Sequence, residues 1–151
     1  LKLGIDPSLF TSKQIGAFFS ENKIKLINQN LVDEVVKYKK ENVEPFYSLN
    51  NKITGESYNL KIDKLIKILK KNKLDYIFIT APENIAWLLN IRGHDNPYSP
   101  IPNSNLIVSK NREKFLFANR KKLKKIISEK KIKKNNLKNK KEIKKFLQNL
   151  K

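Results

Sequence analysis

Cysteine and methionine are both absent from this chain of 151 residues, and histidine occurs once. Without cysteine no disulfide staples the fold, and no thiolate can act as nucleophile or metal ligand. A metal site needs several carboxylate, His or Cys ligands brought together, and one His with scattered acids is poor material for it. Glycine is scarce as well, with four in the chain. That argues against the Gly-rich phosphate cradles of P-loop and dinucleotide-binding folds, and no Gly-x-Ser-x-Gly elbow is present. No catalytic residue can be nominated. No apolar run approaches the roughly 20 residues of a membrane span; the longest are residues 77–79 and 85–89. The opening residues lack the apolar stretch of a signal peptide. Lack of cysteine fits a cytoplasmic protein with no membrane partner. A chain without Met that opens inside a strand-like segment is expected to be a piece excised from a longer protein.

Acidic residues are the next shortage, 14 against 33 basic ones, for a formal net charge of +19. The excess is local: residues 110–151 hold 18 basic and 3 acidic side chains. One reading is a basic module that binds nucleic acid or an anionic surface. Such modules favour Arg for bidentate contacts and interleave aromatics for stacking. This chain has 30 Lys and 3 Arg, with one Arg and one aromatic, Phe146, in residues 120–151. The composition is instead that of an AT-rich coding bias written on solvated faces, and no specific nucleic-acid partner is expected.

What is present in quantity is enough apolar material for a core: 39% hydrophobic, with eight Phe, five Tyr and one Trp. Periodicity divides the chain in three. Residues 1–38 read as the C-terminal tail of a first α/β domain. They offer a strand end at Lys2–Ile5, a capping box from Thr11 to Gln14 opening a short helix, a strand at 24–27, and a helix from Leu31 capped by Asn30. Residues 39–56, polar and marked by Pro45, Asn50-Asn51 and Gly55, read as a linker. Residues 57–151 form a second α/β domain. Ile62, Leu65, Ile66 and Leu69 make an apolar stripe with Lys on the opposite face, and Asn72 ends that helix. Residues 75–80 read as a strand covered on both faces. Pro82 opens a helix that turns Ile85, Leu88 and Leu89 inward and leaves Trp87 on its flank. Strands are expected at 105–109 and 114–118. A helix follows around Leu123, Ile126 and Ile127, and a closing helix carries Ile143, Phe146, Leu147 and Leu150 inward with its lysines outward. Alternating helices and strands of this kind make a mixed sheet flanked by helices.

Residues 90–103 differ from their surroundings. They contain no Lys, the one His, one of the three Arg and three of the six Pro. Proline fixes φ and restricts the residue before it, so the loop is stiff. Arg92, His94, Asp95 and Tyr98 on it are the candidates for a substrate channel or a domain interface. Arg92, in a chain that otherwise uses Lys for a point charge, points to a need for the planar fork, for a ligand carboxylate or for pairing with Asp95. Gly93 fits a backbone turn at the helix end. For His94 and Tyr98 the alternative is ordinary loop packing.

The order of motifs then carries a family resemblance. Leu3-Gly4-Ile5-Asp6-Pro7, Asn30-Leu31-Val32-Asp33, Gly55-Glu56-Ser57 and above all Asn84-Ile85-Ala86-Trp87-Leu88-Leu89-Asn90-Ile91-Arg92-Gly93 resemble the N-terminal part of aminopeptidase P. That family belongs to the creatinase, prolidase and methionine aminopeptidase pita-bread superfamily. Two positions depart from its pattern: His94, where a small residue or Lys is usual, and Val36, where Trp is common. The resemblance implies a creatinase N-terminal-domain-like fold in residues 57–151 and a parent enzyme that removes an N-terminal residue preceding proline. It also implies two divalent metals, typically manganese, held by a catalytic domain that this chain does not contain. A metal-bound hydroxide would attack the peptide carbonyl there. The domains present here would wall the substrate channel and support a homo-oligomer. Their partners would be their own catalytic domain and a peptide with proline in second position. The rival readings are the basic binding module above and an interaction domain of a creatinase-like protein without peptidase activity.

Overall fold

In the computed structural model, which describes residues 2–29, 31–36, 43–129 and 131–150, the chain divides into two units, Leu1–Lys40 and Glu41–Lys151. In the first, β1 (Lys2–Ile5) lies parallel to β2 (Lys23–Leu26), with α1 (Ser12–Phe19) between them in sequence and α2 (Leu31–Val35) after. The capping box forms as expected: Thr11 Oγ1 accepts from the Gln14 N–H at 3.2 Å, and Gln14 Oε1 accepts from the Thr11 N–H at 2.8 Å. Asn30, the expected cap of α2, lies outside the described residues. Ile5 is the buried apolar residue among those described in this unit, while Leu9, Phe18 and Leu26 are exposed.

The second unit holds the core. Its elements are β3 (Tyr47–Ser48), α3 (Asn51–Thr54), α4 (Tyr58–Lys71), β4 (Tyr76–Ile79), α5 (Pro82–Leu89), β5 (Ile91–Arg92), β6 (Asn105–Ser109), β7 (Lys114–Phe117), α6 (Lys124–Ser128), β8 (Leu137–Lys138) and α7 (Ile143–Gln148). Strands β4, β6 and β7 run antiparallel in sequence, and β8 adds parallel to β7, in the order β4-β6-β7-β8. A separate antiparallel pair joins β3 to β5. The mixed α/β architecture matches the expectation. Ile62 and Ile66 of α4, Ile85 and Leu89 of α5, and Leu106, Val108 and Leu116 of the sheet pack into one cluster with Phe46, Ile91 and Ile126. Each such fully buried side chain is worth about 1.5–3 kcal/mol relative to exposure. On α7, Phe146 packs against Phe115 and Phe117 at ring distances of 4.7 and 5.4 Å, and Lys144 and Lys145 are exposed, as expected.

Three expectations need correction. Of the stretch 39–56 read as a linker, residues 43–56 are built into the second unit. Phe46 is fully buried, its N–H donates to the Lys122 carbonyl at 2.8 Å, and Tyr47 and Ser48 pair with β5. The turn-formers there cap α3, with Asn50 at its start and Gly55 at φ 72° at its end, and do not mark a free connection. Second, β4 is not covered on both faces. It is an edge strand, Phe78 is exposed, and its other residues are half-buried. A continuous apolar run reads alike in either setting. Third, the lysines are not all outer-face residues: Lys61, Lys122 and Lys131 are buried.

Candidate functional site

Residues 92–103 leave the end of α5 and return to β6, and their geometry begins at the helix terminus. Asn90 sits in the left-handed region, φ 51° and ψ 43°, and ends α5 with its N–H directed to the carbonyls of Ala86 and Trp87. Asparagine tolerates this conformation better than other side-chain-bearing residues. Its side chain then ties three segments together: Nδ2 donates to Thr54 Oγ1 at 3.0 Å and to the Glu56 carbonyl at 2.8 Å, while Oδ1 accepts from Lys61 Nζ at 2.7 Å. Lys61 also donates to the Trp87 carbonyl at 2.9 Å and lies 4.2 Å from the Trp87 ring centroid. Lys131 donates to the carbonyls of Leu89 and Asn90 at 3.1 and 3.3 Å. Both ammonium groups thus neutralise the negative end of α5, and burial lowers the pKa of each.

Arg92 takes part in the same cap. Its Nη1 donates to the Ala86 carbonyl at 3.0 Å and to the Ile91 carbonyl at 2.8 Å. The expected pairing with Asp95 does not form. Asp95 is held instead by Lys122, Nζ to Oδ1 at 2.5 Å with both side chains buried, and its Oδ2 accepts from the Asn103 N–H at 2.5 Å. The guanidinium reaches two main-chain oxygens at the helix end, where its charge is favoured, so the carboxylate is left to the lysine opposite.

Gly93 does not supply a left-handed turn; that role falls to Asn90. It supplies space. A Cβ at this position would lie 2.9 Å from Phe46 Cδ1 and 3.0 Å from Pro102 Cα. The loop closes on itself through the Gly93 N–H to the Pro100 carbonyl at 3.2 Å and the Ile101 N–H to the Ser99 carbonyl at 2.8 Å, with a bridge between Asn96 and Ser99. His94 stacks on Tyr47 with ring centroids 5.3 Å apart and faces Glu44 at 3.7 Å. Tyr98 stands at the tip, 101% exposed.

Of the four candidates, then, Arg92 and Asp95 face inward as framework, and His94 and Tyr98 are presented outward. They do not converge on one point. Among the described residues no three His, Cys, Asp or Glu side chains gather as a metal site. Sequence reasoning missed Asn90, Lys61, Lys122 and Lys131. For two of them a signal existed. Asn90 follows an apolar helix end, where Asn is a known stop. Lys61 falls three residues after Tyr58 and four before Leu65, on the flank of the buried stripe. Lys122 and Lys131 sit among other lysines and carry no local mark.

Comparison with known proteins places these features in a family. Residues 37–151 match the family of creatinase/prolidase N-terminal domains. The chain is similar to Protein pid-5 of Caenorhabditis elegans, 36% identical over 114 residues, which are 72% of this chain and 11% of that protein. It is also similar to Xaa-Pro aminopeptidase app-1 of the same organism, 35% identical over 127 residues, 80% of this chain and 20% of the relative. A solved structure, X-prolyl aminopeptidase from Caenorhabditis elegans, described as a cytosolic enzyme with a di-nuclear active site, covers 98% of this chain at a TM-score of 0.78 and 29% identity. The match takes up 25% of that solved chain, so this chain spans a quarter or less of the proteins it resembles.

Proposed function

This chain belongs to the creatinase/prolidase N-terminal domain family, and from that premise we propose that it is the non-catalytic N-terminal part of a metal-dependent Xaa-Pro aminopeptidase. The observation that carries the reading is the match of 98% of the chain, at 29% identity, to an X-prolyl aminopeptidase. The described residues do not fit a two-metal centre, so the metals, manganese by family resemblance, are assigned to the portion of the protein outside this chain. Within the same proposal the protein works in the cytoplasm and assembles as a homo-oligomer. No helix among the described residues is long and apolar enough to cross a membrane.

The task assigned to this chain is to present the outward side of residues 92–103 to the catalytic part, where it narrows entry to the substrate channel. Arg92 and Asp95 hold the shape, and His94 and Tyr98 make the contact. A peptide that must thread past a fixed aromatic loses reactivity when that aromatic is removed, through lost positioning of substrate and not lost chemistry. The test uses the intact protein. It is expected to release the N-terminal residue from Xaa-Pro peptides, to lose this activity on chelation and to regain it with manganese. Replacing both His94 and Tyr98 with Ala should lower kcat/KM about tenfold, equivalent to about 1.4 kcal/mol of transition-state stabilisation. An intact protein that folds and holds metal yet leaves Xaa-Pro peptides uncut would refute the assignment.

A further inference from the structure

The chain has three Arg, and the fold accounts for two of them. Arg92 caps the end of α5, and Arg112 pairs with Asp63. Arg120 has no comparable partner among the described residues. Its Nη2 stands 3.5 Å from Glu142 Oε1, with both side chains exposed, and that oxygen already accepts from the Asn139 N–H at 2.7 Å. An exposed contact of this length is weakly held. The planar fork of Arg120, with its five N–H donors, is left almost unspent.

Arg120 lines a pocket of about 420 Å³, within the range of about 300–1,000 Å³ that small-molecule sites occupy. Arg120, Leu123 and Ile127 stand three and four residues apart along the run made by the 3-10 turn Arg120–Leu123 and α6, a spacing that puts them on one face. The remaining lining, Lys134, Asn135, Leu137 and Lys138, comes from β8 and the turn before it. The floor is apolar: Leu123 and Leu137 belong to the buried cluster, and Ile127 packs against it. The other lining residues are three cations and an amide. Among the described residues no acidic side chain lines the pocket, and neither Lys134 nor Lys138 has a carboxylate partner. Lys138 lies instead 5.7 Å from the ring centroid of Phe146. Three cations around one pocket repel each other, and an apolar floor reduces the screening that water would give. Both costs fall when an anion enters.

We propose that this pocket binds a small organic phosphate, a phosphate monoester carried on an apolar body. A phosphate monoester bears about −1.5 to −2 charge at pH 7 and three acceptor oxygens, so it offsets most of the three cations, where a carboxylate would offset one. Arg120 takes two of the oxygens with its fork. Lys134 and Lys138 act as point charges on the third, and the apolar body rests on Leu123, Ile127 and Leu137. No residue from 92–103 lines the pocket, so the proposal stands apart from the peptidase reading and does not need it.

The test is calorimetric titration of the intact protein with phenyl phosphate. A chelator is present so that no metal competes for the phosphate, and ionic strength is held at about 0.15 M to screen loose surface attraction. Saturable binding of one phenyl phosphate per chain is expected. Inorganic phosphate, which lacks the apolar body, and phenylacetate, which carries a single charge, should each bind at least about tenfold more weakly. Arg120→Lys keeps the charge and loses the fork, and should weaken phenyl phosphate by about tenfold or more. The Arg120 side chain is 70% exposed, so the urea midpoint of this variant should not move. Absence of saturable binding would overturn the idea, whether the pocket refuses the anion or another part of the protein already covers it. Phenylacetate bound as tightly as phenyl phosphate, or undiminished binding in Arg120→Lys, would overturn it as well.

Discussion

The base and the tip of the loop at residues 92–103 are built on opposite principles, although a few residues separate them. At the base, Asp95 and Lys122 form an ion pair with side chains 9% and 4% exposed, and the Asn103 N–H takes the second carboxylate oxygen. Gly93 admits Phe46 and Pro102 to within a distance that leaves no room for a methyl group. At the tip, Tyr98 has no cover among the described residues. A buried charge pair is seldom a large net source of stability, but breaking it is expensive. The pair holds the base of the loop in one shape, and in the proposed role this offers an exposed aromatic without the entropic cost of ordering a loose segment on contact.

The contrast is broken most severely at Lys122. Lys122→Met leaves the Asp95 carboxylate buried with one main-chain donor, and the loss of one partner of such a pair costs about 3–5 kcal/mol. A large fall in the urea midpoint is expected. Adding Asp95→Leu should return much of it, because replacing both charges with apolar groups removes the stranded one. A single substitution that costs under about 1 kcal/mol would show that the pair does not clamp the loop.

Gly93→Ala attacks the same base by volume. The added methyl would meet the ring of Phe46, which is fully buried, and the main chain of Pro102, which cannot swing aside. Overpacking of this sort costs about 1–3 kcal/mol. Thermal unfolding should register it as a lower Tm, and an unchanged Tm would mean that the loop shifts freely to make room.

Much of this was legible in the sequence, for identifiable reasons. The α4 stripe, the Thr11 capping box and the Pro82 helix start are local patterns, and local patterns survive into the structure. The unusual composition of residues 90–103 marked the loop correctly as a distinct feature. The partner of Asp95 was not legible. The choice between Arg92, three residues away, and Lys122, 27 residues away, depends on where the chain carries the later lysine, and nothing near residue 122 announces it. The edge position of β4 was hidden for a similar reason, since strand order is a property of the whole sheet. The turn-forming residues of 43–56 were read as a connection because turn chemistry looks alike between domains and within one.

Tyr98→Ala sharpens the comparison from the other end, and its effect on stability is expected to be the smallest. A side chain exposed at 101% can lose no buried contacts, and surface substitutions of this kind change stability by no more than about 0.5 kcal/mol. The turn that carries it is held by the main-chain bonds of Gly93 and Ile101, which the substitution leaves in place. Urea unfolding of Tyr98→Ala should therefore overlay that of the unaltered chain. In the intact protein the same substitution should weaken whatever the tip meets, because tyrosine at the centre of a contact contributes about 2 kcal/mol or more as an anchor. The two measurements together separate presentation from packing. A substantial loss of stability in the chain alone would mean that the tip already has a partner within it, and the division into a fixed base and a presented tip would fall.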